Sequence, residues 1–316
     1  MTAVSTPVDS AVEERVRWGA VITFMLVAAG LAWLVASPLW VSGQGLAFPG
    51  AGLLLIVMMF TPTIATIVVT FVFRAPAEGR LRFLGMWPLR PAKRVVWFMV
   101  LGWLAPFAVV VIVTAVSAAL GLVKLDMAGF SGFAEVLEAQ LPAGTTVPPI
   151  GLLVAVQLLT LPFGALVNCV ATAGEEIGWR GWLLPSLRPL GTWPALVISG
   201  IVWGLWHSPV ILLGYNFGRP DITGVLFMVG GCVAWGIALG WLRLRSASVW
   251  PAVLAHGMLN AAGALVLLVA AAGQSYDLAL VGPLGVVAWG VLAVMIVVLI
   301  ATGQFRRQPE LAPSRT

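Results

Sequence analysis

Four ionisable residues stand in strongly apolar stretches of this 316-residue chain. They are the adjacent carboxylates Glu175 and Glu176 and the chain's two histidines, His207 and His256. An ionisable side chain at membrane depth is costly unless it is paired or hydrated, so such residues are functional candidates by default. These four positions are the first places to expect chemistry.

The two carboxylates are predicted to differ in role. Glu176 and Arg180 are four residues apart with the acid first, the order that favours an ion pair on a helix. Consecutive helical side chains point about 100° apart, so Glu175 projects away from that pair. Glu175 is therefore predicted to be the unpaired acid, suited to general acid or base catalysis. The alternative, that both residues only cap the cytoplasmic end of a helix, is disfavoured because acids destabilise a helix C-terminus.

The histidines add two further elements. His256 and Asn260 are four residues apart and share one helix face, so they can act together on one bound group. His207 follows Trp203 at the same spacing. A single membrane histidine often only bonds a neighbouring helix, and this interpretation stays open for His207. This interpretation is weakened because both histidines, Asn260 and Glu175 together occupy only three apolar segments, which could bring them to one site.

This set of residues is compatible with two kinds of hydrolysis. Glu175, His207 and His256 have the ligand chemistry of a catalytic zinc ion, with the second glutamate as base. Without metal, Glu175 and an imidazole can deprotonate water while a histidine and an asparagine stabilise the oxyanion. We favour an enzyme that is metal-independent or binds a metal only loosely, because His-x-x-x-Asn offers only one good nitrogen ligand. Neither H-E-x-x-H nor G-x-S-x-G occurs.

Transmembrane helices must position these residues. The chain is 60% hydrophobic and 9% charged, with a mean hydropathy of +1.03, whereas about a quarter of a soluble protein's residues are charged. A bilayer crossing needs roughly 20 apolar residues. The runs predict an all-α integral membrane protein with eight transmembrane helices, at about 18–40, 50–73, 95–122, 150–178, 193–213, 223–242, 248–271 and 280–302.

The basic residues predict the orientation of these helices. Every Lys and Arg except Lys124 and Arg219 falls in the N-terminal tail, the C-terminal tail, or the connections 74–94, 179–192 and 243–247. Cytoplasmic loops retain basic residues, so both termini are predicted to be cytoplasmic. Because these charges lie between apolar runs, the pI of about 10.0 does not indicate nucleic-acid binding.

One polytopic domain is predicted. The polar tail 1–17 lacks the features of a removable signal peptide. The membrane domain covers 18–302, with a catalytic core at about 150–271, and a second cytoplasmic tail covers 303–316. Glu175 near the inner end of its span places the active site close to the cytoplasmic side, and the residue usage indicates a bacterial plasma membrane.

Two smaller features concern packing. Glycine pairs at G-x-x-x-G spacing predict close helix approach in the catalytic core, namely Gly174 and Gly178, Gly200 and Gly204, and Gly236 and Gly240. The connection 123–149 spaces its apolar residues as an amphipathic helix would, which predicts a helix in the outer interface. Cys169 and Cys232 fit small buried hydrophobic residues better than a disulfide or a metal site.

At the catalytic candidates the chain resembles the CPBP family, the CAAX proteases and bacteriocin-processing enzymes of the Abi type, which are eight-helix intramembrane endopeptidases. The resemblance covers about residues 150–265 and rests on three ordered motifs: Glu175-Glu176-x-x-x-Arg180, Trp203-x-x-x-His207 and His256-x-x-x-Asn260. The family usually has Phe in place of Trp203, a departure in a packing residue.

The resemblance implies a division of roles. Glu175 would activate water with His207, His256 and Asn260 would stabilise the tetrahedral intermediate, and Glu176 with Arg180 would shape the site. The resemblance leaves open whether Glu175, His207 and His256 bind zinc or whether the enzyme has no cofactor.

The predicted function is therefore an intramembrane endopeptidase that hydrolyses a membrane-associated protein or peptide in the lipid bilayer, with no nucleic-acid partner. A proton-coupled transporter is one alternative, although the chain shows no obvious inverted repeats with broken helices. A non-catalytic immunity or scaffold protein is the other.

Overall fold

The computed structural model describes residues 15–142, 145–306 and 308, and the regular elements in this part of the chain are helices. Most of the two predicted tails lies outside the described residues. The helices are α1 (Trp18–Val41), α2 (Ala51–Met58), α3 (Thr61–Val72), α4 (Arg80–Phe83), α5 (Ala92–Ala119), α6 (Ser131–Gln140), α7 (Ile150–Glu176), α8 (Leu184–Leu187), α9 (Thr192–Trp206), α10 (Ser208–Ile211), α11 (Ile222–Ser246), α12 (Trp250–Ala262), α13 (Leu265–Val269), α14 (Leu278–Val281) and α15 (Val286–Ala301).

The predicted all-α fold class is confirmed. In the described part of the chain, seven helical stretches are long and apolar enough to cross a membrane, which makes this a multi-pass membrane protein. Their bounds are Trp18–Val41, Ala51–Val72, Ala92–Ala119, Ile150–Leu190, Ile222–Ser246, Trp250–Val269 and Leu278–Ala301. Seven of the eight expected spans coincide with these stretches.

The expected fifth span, 193–213, is broken in two. α9 has 15 residues and is about 22 Å long, shorter than the hydrocarbon core of about 30 Å. It ends at Trp206, and Pro209 follows in the first turn of α10, where it has no amide hydrogen to bond the Leu205 carbonyl and continue α9. The short α10 then continues the chain. The count of eight spans and the cytoplasmic placement of the termini stay predictions.

The helix that carries the two glutamates does not stop at Glu176. It continues as a π-helical segment, Ile177–Leu183, before α8 begins. π-Helical turns are rare and occur frequently at functional sites. This segment buries Trp179, Arg180 and Trp182 directly below the glutamates.

Two glycines of α9 bring α9 and α11 into backbone contact. A Cβ atom on Gly204 would lie 2.5 Å from the Cα of Val229, and one on Gly200 would lie 2.7 Å from the Cα of Val233. The other predicted glycines are also at close approaches: Gly174 and Gly178 against Met59, Phe60 and Pro62, Gly236 against Gly200, and Gly240 against Leu196. The predicted tight packing of the catalytic core is confirmed.

The connections assemble into two ends of the molecule. At the first end, which we call the basic end, the Arg17 guanidinium donates to the Arg74 carbonyl and the Arg245 Nε donates to Gln304. The basic end comprises residues 15–17, 74–94, 180–193, 243–250, 302–306 and 308. The opposite end comprises residues 41–50, 120–142, 212–222 and 270–285.

At the opposite end, the predicted helix in the 123–149 connection is present as α6. Just before it, the Asp126 carboxylate accepts backbone hydrogen bonds from Ala128, Gly129 and Ser131. Bonds from the Gly129 amide and from the Ser131 hydroxyl and amide lower the pKa of Asp126 to about 2. The Asp126 amide donates to the Val269 carbonyl, which ties this connection to the end of α13.

Candidate active site

The crossing of α7 and α12 creates the polar centre. A Cβ atom on Gly257 would lie 2.6 Å from the Ala165 carbonyl oxygen, so only glycine allows this approach. One turn away, the Thr172 hydroxyl donates to the Val253 carbonyl at 3.0 Å. This packing places the C-terminal end of α7 beside the middle of α12, where His256 lies.

Glu176 lies at the centre of a buried charged group. Its Oε1 accepts a hydrogen bond from the Arg180 guanidinium at 2.8 Å and another from His256 Nδ1 at 2.9 Å. Glu176 is fully buried, and Arg180 and His256 are 1% and 4% exposed. The predicted Glu176–Arg180 ion pair is confirmed. The contact with His256 is an addition, because it depends on the approach of two helices.

Glu175 has a different environment one residue earlier. Its Oε2 accepts hydrogen bonds from two indole nitrogens, Trp203 Nε1 at 2.7 Å and Trp179 Nε1 at 3.3 Å. The side chain is buried, and no ion pair with Glu175 occurs among the described residues. The prediction that Glu175 is the acid without a cationic partner is confirmed.

Trp203 contacts Glu175, Arg180 and His256. Besides its bond to Glu175, its ring lies under the Arg180 guanidinium, with 4.2 Å from Cζ to the ring centroid. Its edge meets the His256 ring at 5.2 Å between centroids. Trp203 is therefore more than the packing residue that the sequence suggested, since a Phe there could not donate the bond to Glu175. The sequence could have indicated this role, because a tryptophan, unlike a phenylalanine, has an N–H group that can donate a hydrogen bond.

The break at the end of α9 orients His207. The His207 amide bonds the Gly204 carbonyl at 3.2 Å instead of continuing the α-helical pattern. The Trp203 carbonyl accepts a hydrogen bond from His207 Nδ1 at 2.8 Å instead. A carbonyl oxygen only accepts, so Nδ1 carries the hydrogen. In the neutral ring, Nε2 is then the nitrogen with a free lone pair.

The four predicted catalytic residues meet at one cavity of about 480 Å³. Glu175, His207, His256 and Asn260 all line it, and Trp203 forms part of the wall. Glu176 and Arg180 do not line the cavity but lie buried behind it. The structure thus brings together all the residues that the sequence selected, with the supporting pair in a second layer.

Three polar lining residues were not found from the sequence. Asn168 lies on α7 seven residues before Glu175, which is two turns away on the same face. Its amide nitrogen donates to the Gly257 carbonyl at 3.4 Å. The seven-residue spacing between Asn168 and Glu175 could have predicted that Asn168 lies on the same face of the helix. Tyr215 and Asn216 come from the loop between α10 and α11, which no helical periodicity could connect with the site.

A metal ion needs several donor side chains that converge on one point. Within residues 15–142 and 145–306, no group of three or more His, Cys, Asp or Glu side chains is arranged to hold a metal. Glu175, His207 and His256, the candidate ligands, therefore do not fit a zinc site as they are placed. Both cysteines are free thiols.

A known protein family and a known relative match the predicted catalytic core of the chain. Residues 157–262, the segment that carries the three motifs, match the family described as Type II CAAX prenyl endopeptidase Rce1-like. A similar relative is CAAX prenyl protease 2 from Methanococcus maripaludis, 30% identical over 98 residues. The matched part is 29% of this chain and 36% of that relative, so the chain spans about a third of the relative's length. The predicted resemblance to the CPBP and CAAX protease family is confirmed.

Proposed function

We propose that the protein is an intramembrane endopeptidase that hydrolyses a peptide bond of a membrane-associated protein or peptide, with Glu175 activating the water. The observation that carries the proposal is the meeting of Glu175, His207, His256 and Asn260 at one cavity. These side chains come from three helices, and buried polar groups that converge in a cavity are the expected form of an active site. The family match over the same segment supports a peptidase.

The first step is attack by water. Glu175 removes one proton from the water. His207 Nε2, which has the free lone pair, accepts a hydrogen bond from the water's other hydrogen and so orients the water molecule. The indole bonds from Trp203 and Trp179 hold Glu175 Oε2 in place. The water oxygen then forms a bond to the carbonyl carbon, and the carbonyl oxygen becomes an oxyanion.

The second step is stabilisation and collapse of that intermediate. Asn260 donates through its amide, and His256 donates through Nε2 when the ring carries both protons. Nδ1 of that ring already donates to Glu176, which fixes the orientation of the ring. Glu175 then returns its proton to the amide nitrogen, the carbon–nitrogen bond breaks, and the amine leaves.

No step in this mechanism runs through a metal. Zinc bound by Glu175, His207 and His256 would supply a Lewis acid and an activated water. Since these donors do not form a metal-holding group, we expect cleavage by the purified enzyme to persist after extensive chelation. Activity that disappears with a chelator and returns with added zinc would replace this mechanism with a metal-dependent one.

The test of the proposed function is Glu175→Gln, which keeps the size of the side chain but cannot take up a proton from water. With the purified enzyme and a library of membrane-anchored peptides, we expect cleavage to fall by about 10²-fold or more, the usual contribution of a general base. The matched control is Glu138→Gln, an exposed glutamate on α6. Equal cleavage by wild type and Glu175→Gln would remove the proposal.

The two alternatives have their own measurements. Uptake into proteoliposomes driven by a pH gradient, and lost in His207→Ala, would favour a proton-coupled transporter. A cellular role that persists when Glu175 and His207 are both replaced would favour a non-catalytic immunity or scaffold protein.

A further inference from the structure

The catalytic cavity extends from the site toward one end of the molecule only. On α12, His256 is followed by the lining residue Asn260, and Ala264, just before α13, and Leu267 of α13 continue this wall. That direction leads to residues 270–277, at the opposite end as defined above. Each step along this wall moves away from the basic end, because α12 begins there, at Trp250.

The remaining walls agree with this direction. Tyr215, Asn216 and Phe217 line the cavity from the loop that joins α10 to α11. Leu278 and the segment 282–284 line it from the start of the last helical stretch. Both groups belong to the opposite end. None of the described residues of the basic end, as defined above, lines the cavity.

Toward the basic end the site is closed by a packed layer. Trp179, Arg180 and Trp182 are at most 1% exposed. The Trp182 indole donates to the Ala75 carbonyl at 2.7 Å, which ties the layer to the connection after α3. Arg243 completes it, with its guanidinium donating to the carbonyl oxygen of Arg180 and to that of Phe83.

The open side of the cavity lies along α12 and α13. Asn260 and Ala264 are exposed, and Leu267 is 42% exposed. These residues follow one another at helical spacing and form a strip beside the catalytic cavity. A polypeptide can therefore approach His256 and Glu175 along this strip, whereas the tryptophan and arginine layer blocks an approach from the basic end.

The distribution of charge indicates the compartment. Of the chain's Lys and Arg residues, the opposite end has only Lys124 and Arg219, and Arg219 is paired with Asp277. Basic residues are retained on the cytoplasmic side of membrane proteins. The basic end is therefore the cytoplasmic end, and the end toward which the cavity opens lies outside the cytoplasm.

Accordingly, we propose that the substrate enters from the extracytoplasmic side, and that the substrate class is the extracytoplasmic or outer-leaflet segment of an exported or membrane-anchored polypeptide. This proposal rests on the proposed function. It competes with the sequence-based prediction of a site near the cytoplasmic side, which considered only the position of Glu175 along its span. A cytosolic protein could not reach the cavity, because the packed layer of tryptophan and arginine side chains closes it toward the basic end.

The test uses single added cysteines and a membrane-impermeant maleimide, which reacts only with thiols that water reaches. Ala264→Cys probes the cavity strip. Met127→Cys, at a residue 65% exposed, reports the opposite end, and Leu81→Cys, 54% exposed, reports the basic end. The parent chain, with Cys169 and Cys232, measures the background. Each variant is labelled in intact cells and in inside-out vesicles, and Leu267→Cys serves if Ala264→Cys fails to accumulate.

We expect Met127→Cys and Ala264→Cys to be labelled in intact cells and Leu81→Cys only in inside-out vesicles. Labelling of Ala264→Cys only from the side that labels Leu81→Cys, or from neither side, would overturn the proposed opening. Labelling of Leu81→Cys in intact cells would overturn the extracytoplasmic assignment. Since labelling needs no proteolysis, these results are independent of the Glu175→Gln measurement.

Discussion

The closed layer at the basic end and the open cavity beside it differ although the same helices build both. In the layer, Arg180 donates to Glu176, which is buried beside it, and neither of these two residues lines the cavity. In the cavity, Glu175 has only indole donors and faces the space that a substrate would fill. Adjacent residues of one helix thus serve structure and chemistry separately, because their side chains diverge by about 100°.

This contrast suggests that changes in the layer lower stability, whereas changes at the cavity wall lower catalysis. The distinction is testable because the two regions contain the same residue types. Each has a glutamate, and each has a tryptophan whose indole donates one specific hydrogen bond, Trp182 in the layer and Trp203 at the wall.

The largest expected effect is that of Arg180→Ala in the layer. Removing one partner of a buried ion pair leaves an uncompensated charge and costs about 3–5 kcal/mol. We expect a large loss of thermal stability, measured by unfolding in detergent. The control is Arg188→Ala, at the basic end, which bonds only the Thr192 hydroxyl among the described contacts. Equal stability of the two variants would contradict the role of the layer.

A double variant sharpens this result. Glu176→Gln with Arg180→Met removes both charges, which is often close to neutral for stability. We expect it to recover much of the stability lost in Arg180→Ala. Cleavage should stay low, because His256 no longer donates to a carboxylate. Recovery of both properties together would show that stability and catalysis are not separate at Glu176.

The second prediction concerns the two tryptophans. Trp203→Phe keeps an aromatic ring against Arg180 but removes a bond to a carboxylate, worth about 1.5–3 kcal/mol. Because that bond positions the acid proposed to activate water, we expect kcat to fall about tenfold or more, with some loss of unfolding temperature. Trp182→Phe, the matched variant in the layer, should instead lower the unfolding temperature and leave kcat nearly unchanged. The reverse pattern would refute the comparison.

The smallest expected effect tests the helix crossing that positions His207. A Cβ atom at Gly204 collides with the α11 backbone, and such overpacking costs typically about 1–3 kcal/mol. Gly204→Ala should therefore lower both stability and cleavage, since His207 follows one turn later. Gly290→Ala in α15, where a Cβ meets nothing within 4 Å, is the control and should be neutral or slightly stabilising. Similar behaviour of the two variants would argue against the close crossing.

Much of the site was predictable because it depends on local spacing. Four-residue intervals predicted that Glu176 lies beside Arg180 and that His256 and Asn260 share a helix face. In the structure the first two form an ion pair, and the second two line the same cavity. The bond from His256 to Glu176 was beyond the sequence, since 80 residues separate the two and only the α7–α12 crossing joins them. Tyr215 and Asn216 were missed for the same reason, as their loop has no periodicity to interpret.

The amino-acid sequence alone determined the membrane class, the all-α fold and the candidate catalytic residues, because hydropathy and helical spacing are properties of neighbouring residues. The tertiary structure decided which glutamate faces the cavity, that Trp203 bonds a carboxylate, and toward which end the cavity opens. Those features arise where separate helices meet, and glycine contacts and a broken α9 set the geometry there. Distances between remote segments are not encoded in any local pattern, so only the packed chain could supply them.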